Sequence, residues 1–178
     1  SEVSEEVQFL RNFRDEFVLS TRSGAAFYVA FNAFYYSWSP PVAQFILAHP
    51  VLKAPLRVAL YPLIASLNVA AVAARPLIST LPEIAVYLAG TIASALIGLS
   101  YLTPLAYLLI RRARNDTADK AVKALAYAYL AALLLCGAAS TLGPTWVLVF
   151  ATSAYVLSTL ALAPTLAARL LVKVYRKA

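Results

Sequence analysis

The sequence predicts an all-α, polytopic helical membrane protein. Hydrophobic residues make up 62% of the 178-residue chain and charged residues 13%, with a mean hydropathy of +0.74. Ordinary soluble domains are roughly 45–50% apolar and about 25% charged. A soluble domain of about 150 residues buries only some 70% of the surface that its unfolded chain exposes. Lipid or a large assembly must therefore cover the remaining apolar surface.

Three apolar runs in the second half of the chain predict three strong transmembrane helices. They cover residues 84–110, 121–142 and 146–168. Each exceeds the roughly 20 residues that a helix needs to cross a bilayer. A fourth run, residues 56–74, is shorter and is interrupted by Pro62, so it predicts a marginal span that is equally compatible with a re-entrant or buried helix.

The first 57 residues are expected to form short amphipathic and interfacial helices, ahead of a transmembrane bundle in residues 58–178. Residues 1–20 place apolar side chains on one helical face, and the acidic opposite face favours packing on the protein over a membrane surface. Residues 24–38 would rise only about 22 Å as a helix, so we expect them not to span alone. Prolines cannot continue the helical hydrogen bonding and predict elbows, meaning breaks between helices, at Pro40, Pro41 and Pro50.

The positive charge is concentrated at the ends of the apolar runs. The chain has a net charge of +7, and such clusters mark the cytoplasmic side of membrane proteins. The basic membrane-flank residues are Arg111, Arg112, Arg114, Lys120, Lys123, Arg169, Lys173, Arg176 and Lys177. We therefore predict an integral protein of the cell membrane or envelope, with loop 111–123 and the C-terminal tail in the cytoplasm. Membrane lipid is the expected partner, and nucleic acid is not.

Small residues recur every four positions in two of the predicted spans. The repeats are Gly90, Ser94 and Gly98, and then Ala124, Ala128, Ala132, Cys136 and Ser140. Small residues at this spacing let membrane helices approach closely, although chance repetition in an alanine-rich chain would produce the same pattern. We predict helix-packing faces here, and a homo-oligomer or larger membrane complex as the assembly.

Residues 7–65 carry a pattern of motifs. It runs through Leu10-Arg11, Phe13-Arg14-Asp15, Ser39-Pro40-Pro41 and Pro62-Leu63. This third of the chain resembles the CFI-box C-terminal domain family. The Cys-Phe-Ile-Ala-Thr-Ala-Ala-Tyr-Gly-Ser box that names the family is absent, so nothing that depends on its cysteine is carried over. The resemblance implies an envelope protein whose N-terminal part faces outside, and it implies no reaction.

The segment Asn115-Asp116-Thr117-Ala118-Asp119 is the motif most suggestive of chemistry. It resembles the magnesium-diphosphate motif of isoprenoid transferases, in which carboxylates hold Mg²⁺. However, the next expected aspartate position is Lys123, and the sequence has no second aspartate-rich loop. The favoured interpretation is that Asn115 or Asp116 caps the N-terminus of the following helix.

The remaining chemistry-bearing residues form no cluster. His49 is the sole histidine and Cys136 the sole cysteine, and one imidazole alone is a poor metal site. We expect no catalytic residue, cofactor or metal. The predicted function is a non-enzymatic structural or anchoring subunit of a cell-envelope membrane assembly. The alternatives are a self-assembling lipid-associated filament subunit, a small transporter or channel component, and a magnesium-dependent isoprenoid-type transferase.

Overall fold

The computed structural model describes residues 8–175, and these form a helical bundle. A π-helical segment, Phe13–Val18, comes first, and a 3₁₀ turn, Pro50–Leu52, joins the first two long helices. The long helices are α1 (Arg22–Ala48), α2 (Lys53–Ile78), α3 (Pro82–Arg112), α4 (Asn115–Leu142) and α5 (Thr145–Tyr175). No strand occurs in this described part of the chain.

Four segments are long and apolar enough to cross a membrane. They are Pro50–Ile78, which contains α2, and the whole of α3, α4 and α5. Their mean hydropathies lie between 1.6 and 1.8. The predicted class of all-α polytopic membrane protein is confirmed, and the three strong runs are helices. The marginal run lies inside α2 and matches the length and composition of a span.

Short connections make α2 to α5 antiparallel to their neighbours in the chain. Pro82 occupies the first turn of α3, where its missing N–H leaves no helical hydrogen bond unmade. Residues 113–114 separate α3 from α4, and Gly143-Pro144 separates α4 from α5. Helices joined by so few residues must fold back on one another. The two short loops therefore hold the ends of α4 close to the adjoining ends of α3 and α5.

Helix α5 lies at the centre of the bundle. It packs against α3 on one side and α4 on the other, α3 packs in turn against α2, and the first half of α1 lies on α5. Most of the buried hydrophobic residues are alanines. Lipid tails are as apolar as leucine, so membrane helices associate through close van der Waals packing, which small side chains permit.

The π-helical segment packs on its own protein, as the sequence predicted for this part of the chain. Phe17 is buried in one hydrophobic cluster with Ala70 and Ala74 of α2 and Ala85 of α3. Its ring stacks on that of Phe13 at a centroid distance of 5.4 Å. The rest of the predicted N-terminal helix, residues 1–7, lies outside the described residues.

The predicted helix breaks at Pro40 and Pro41 are wrong. Helix α1 continues through both prolines from Arg22 to Ala48, so it is 27 residues and about 40 Å long. The two prolines remove the donors for the carbonyls of Tyr36 and Ser37, but both residues are exposed, so those carbonyls are not enclosed by the protein. The fixed φ of proline is itself compatible with a helix. The short interfacial helices expected here are one long helix.

Pro50 differs from the other two prolines because it lies at a real change of element. It begins the 3₁₀ turn between α1 and α2. Since α2 begins at Lys53, it crosses the predicted boundary at residues 57 and 58. That division into an N-terminal part and a bundle stays a prediction.

Candidate functional site

Polar side chains gather at the two ends of the bundle. At one end, called here the basic end, the C-terminal ends of α3 and α5 lie beside the N-terminal end of α4. Ile110, Ala118, Ala168 and Val172 form the core at this end. The two basic clusters of the sequence therefore lie at the same end of the molecule, as a common membrane side requires.

Arg169 of α5 is the buried centre of the basic end. Its residue is only 7% exposed. Its Nε and Nη2 donate to the two carboxylate oxygens of Asp119 at 2.8 and 3.0 Å. Its Nη1 and Nη2 also donate to the side-chain and backbone oxygens of Asn115, at 3.0 and 3.3 Å. This fork geometry is the strongest form of arginine–carboxylate contact, and it joins the end of α5 to the start of α4.

The predicted cap of α4 is wrong. The cap position belongs to Arg114, without a side-chain cap hydrogen bond, and Asn115 and Asp116 lie within the first turn of the helix. Asn115 instead accepts a hydrogen bond from Arg169, a partner more than fifty residues away. Asp116 forms an exposed ion pair with Lys120 at 2.8 Å. Both aspartates of the motif therefore face a cation of this chain.

Other basic residues lie at the same end of the bundle. Arg111 and Arg112 occupy the last turn of α3, and Lys173 lies one turn beyond Arg169. Lys120 and Lys123 follow along α4. Arg176 and Lys177 lie outside the described residues.

Glu83 is the centre of the opposite end, called here the Glu83 end. Its Oε1 accepts hydrogen bonds from the backbone N–H groups of Arg22 and Ser23, at 2.9 and 3.4 Å. The hydroxyl of Thr21 is a second acceptor, and it takes a third N–H, that of Gly24, at 3.0 Å. The first N–H groups of a helix have no partner within the helix, and a carboxylate there is favoured by the helix dipole. A residue of α3 therefore caps α1.

Arg22 provides the complementary contact at the Glu83 end. Its guanidinium donates to the backbone oxygen of Ser140 at 3.0 Å and to that of Gly143. The last carbonyls of a helix lack partners within it, and arginine is a favourable one. Glu83 and Arg22 together join α1 to the start of α3 and to the end of α4.

Tyrosine hydroxyls continue the hydrogen bonding from the Glu83 end into the bundle. Tyr87 donates to the hydroxyl of Ser23 at 2.7 Å. Tyr155, which is only 2% exposed, donates to the backbone oxygen of Tyr87 at 2.6 Å. Its ring lies edge-on to Tyr87 and stacked on Tyr129, at centroid distances of 5.7 and 5.6 Å. The hydroxyls inside the bundle thus serve to connect α1, α3 and α5.

The predicted packing repeat on α3 lies against α5 at both of its glycines. A Cβ placed on Gly90 would lie 3.3 Å from the ring of Tyr155. Ser94 is buried. A Cβ placed on Gly98 would lie 3.1 Å from Cδ of Pro164 and would overlap the carbonyl oxygen of Leu160.

The longer repeat on α4 does not form one face. Ala132 and Cys136 are buried near Tyr155 and Ser140 is half-buried, but Ala124 and Ala128 are exposed. At 3.6 residues per turn, a step of four residues rotates about 40° round the helix. Four such steps rotate about 160°, so the first and last members of this repeat point in nearly opposite directions. Ala124 and Ala128 therefore do not pack inside the described bundle, and their packing against another subunit stays a prediction.

Three of the residues that organise these ends carry no clear signal in the sequence. The sequence pattern marks neither Glu83 nor Arg22, and Arg169 is one of several basic residues at the ends of the apolar runs. One signal was present for Arg169: Asn115 and Asp119 are four residues apart and so share a helical face. Nothing in the sequence indicates which arginine that face contacts.

Comparison of the chain with protein-family models, with curated proteins and with solved structures finds no match. The functional assignment therefore rests on the residues and their geometry.

Proposed function

We propose that this protein is a non-enzymatic structural or anchoring subunit of a cell-envelope membrane assembly, with loop 111–123 and the C-terminal tail in the cytoplasm. The observation that carries the proposal is that polar groups of this chain form hydrogen bonds between its own helices. Glu83, Arg22, Tyr155 and Arg169 each hydrogen-bond to a neighbouring helix of the same chain. Polar groups engaged in such hydrogen bonds hold the helices together.

The exposed surface supports the same proposal. Large apolar side chains lie on the outside of every long helix, among them Phe34, Leu134, Phe150 and Leu157. Such surface is covered by lipid or by other subunits. The resemblance of residues 7–65 to an envelope family stays a prediction that points the same way.

Two of the alternatives are less well supported by the geometry. A transferase of the isoprenoid type needs carboxylates available to Mg²⁺, yet Asp119 is engaged by Arg169 and Asp116 by Lys120. A transporter needs polar groups that face a substrate pathway near mid-span, whereas the hydroxyl of Tyr155 donates to the backbone of α3.

The test is the mass and protein content of the native assembly, extracted in mild detergent. A particle that contains several copies of this chain alone supports a self-assembling structural subunit, the filament alternative included. A second protein at fixed ratio supports an anchoring subunit. A monomer free of other protein would overturn both and return the question to transport.

A further inference from the structure

A groove at the basic end combines positive charge with apolar surface. It lies between α4 and α5 and has a volume of about 290 Å³. The cationic side chains that line it are Lys123, Arg169 and Lys173, and the apolar ones are Val122, Leu166 and Leu170. The one acidic side chain in its wall is Asp119.

The three cations of this groove differ in whether they are already paired with a carboxylate. Arg169 binds the carboxylate of Asp119 through two parallel hydrogen bonds. Lys123 and Lys173 act on that carboxylate only through their charge, and the ion pair of Asp119 is with Arg169. Three cations against one carboxylate leave the groove positive. The two lysine ammonium groups are therefore the groups that an incoming anion would meet.

The apolar lining distinguishes between the sources of such an anion. Leu166 lies one helical turn before Leu170 in α5, so this lining extends from the level of Arg169 towards the middle of the bundle. A free phosphate would use the cations and leave this surface without a partner. An acyl chain of a phospholipid would cover it. Basic grooves between membrane helices on the cytoplasmic side suit anionic lipid headgroups.

We propose that this groove binds the phosphate group of an anionic membrane phospholipid. Lys123 and Lys173 contact the phosphate, and Val122, Leu166 and Leu170 contact the acyl chain. Arg169 positions the wall of the groove through its pair with Asp119. The inference rests on the cytoplasmic placement of this end in the proposed function. Its failure is distinguishable from that of the proposed function, because lipid binding and the mass of the assembly are measured independently.

The experiment titrates phosphatidylglycerol into the full chain in mild detergent and counts bound lipids by native mass spectrometry. The variant is Lys123→Gln with Lys173→Gln. The matched control is Lys120→Gln with Arg112→Gln, which removes the same charge from the same end but outside the groove. We expect each groove lysine to contribute about fivefold in affinity, hence about a 25-fold loss in the groove variant and a much smaller loss in the control. Phosphatidylcholine should bind more weakly than phosphatidylglycerol to the unmodified chain.

Three results would overturn the proposal. An equal loss in the control variant would mean that the lipid follows overall charge and not this groove. Equal retention of phosphatidylcholine would mean that the headgroup is not recognised. Displacement of the lipid by inorganic phosphate at millimolar concentration would assign the groove to a free anion. If the double groove variant does not fold, Lys173→Gln alone, compared with Lys120→Gln alone, gives the same decision at about fivefold.

Discussion

Replacing Gly98 by alanine should separate α3 from α5. The added Cβ would overlap the carbonyl oxygen of Leu160 and lie 3.2 Å from its carbonyl carbon. It would also lie 3.1 Å from Cδ of Pro164. These are backbone and ring atoms, which cannot rotate away as the end of a flexible side chain can. The two helices must therefore move apart along their contact.

The size of the effect follows from two opposing contributions. Alanine in place of glycine favours a helix by roughly 1 kcal/mol, whereas overfilling a packed interface costs about 1–3 kcal/mol. Gly137 supplies the control, because a Cβ there would meet nothing within 4 Å. The helix-propensity contribution is common to both substitutions. The free energy of unfolding of Gly98→Ala should thus lie about 1–3 kcal/mol below that of Gly137→Ala.

Thermal unfolding in detergent, followed by far-ultraviolet circular dichroism, measures this difference. At about 2–4 °C per kcal/mol for a chain of this size, Gly98→Ala should melt roughly 2–12 °C below Gly137→Ala. Gly90→Ala should fall between them, since its Cβ would meet only the ring of Tyr155, at 3.3 Å. If Gly98→Ala melted with Gly137→Ala, the close approach of α3 to α5 at this position would be refuted.

Two further predictions concern the polar ends. At the basic end, Asp119→Ala should lower the melting temperature more than Arg169→Met. Asp119→Ala leaves a buried guanidinium without its carboxylate, whereas Arg169→Met leaves a half-exposed carboxylate that water can reach. The opposite order would contradict the burial of Arg169. At the Glu83 end, Glu83→Ala should destabilise the protein by about 0.5–2 kcal/mol and speed hydrogen exchange in the first turn of α1. Glu83→Gln keeps an acceptor oxygen and should recover most of that loss, and equal exchange in all three proteins would exclude the capping role.

The class of the protein was predictable because it depends on quantities read along the chain. The length and apolarity of residues 84–110, 121–142 and 146–168 required long helices, and the structure has them. The glycine repeat of α3 was also predictable, because Gly90 and Gly98 are separated by only two steps and stay on one face. The longer repeat of α4 is buried only in part within the bundle, because the same spacing, continued for four steps, turns Ala124 away from Ser140.

Long apolar helices with basic ends could thus be predicted for this chain from its sequence. Apolar side chains are unfavourable in water and unpaired backbone polar groups are unfavourable in lipid, and both costs apply at each position whatever the neighbouring helices are. The contacts between distant residues, by contrast, depend on the tertiary packing. This packing placed Glu83 on the first turn of α1, Arg169 between Asn115 and Asp119, and Pro40 inside a helix. Each of these outcomes depends on which atoms from remote parts of the sequence lie close by, and that is a property of the packed bundle.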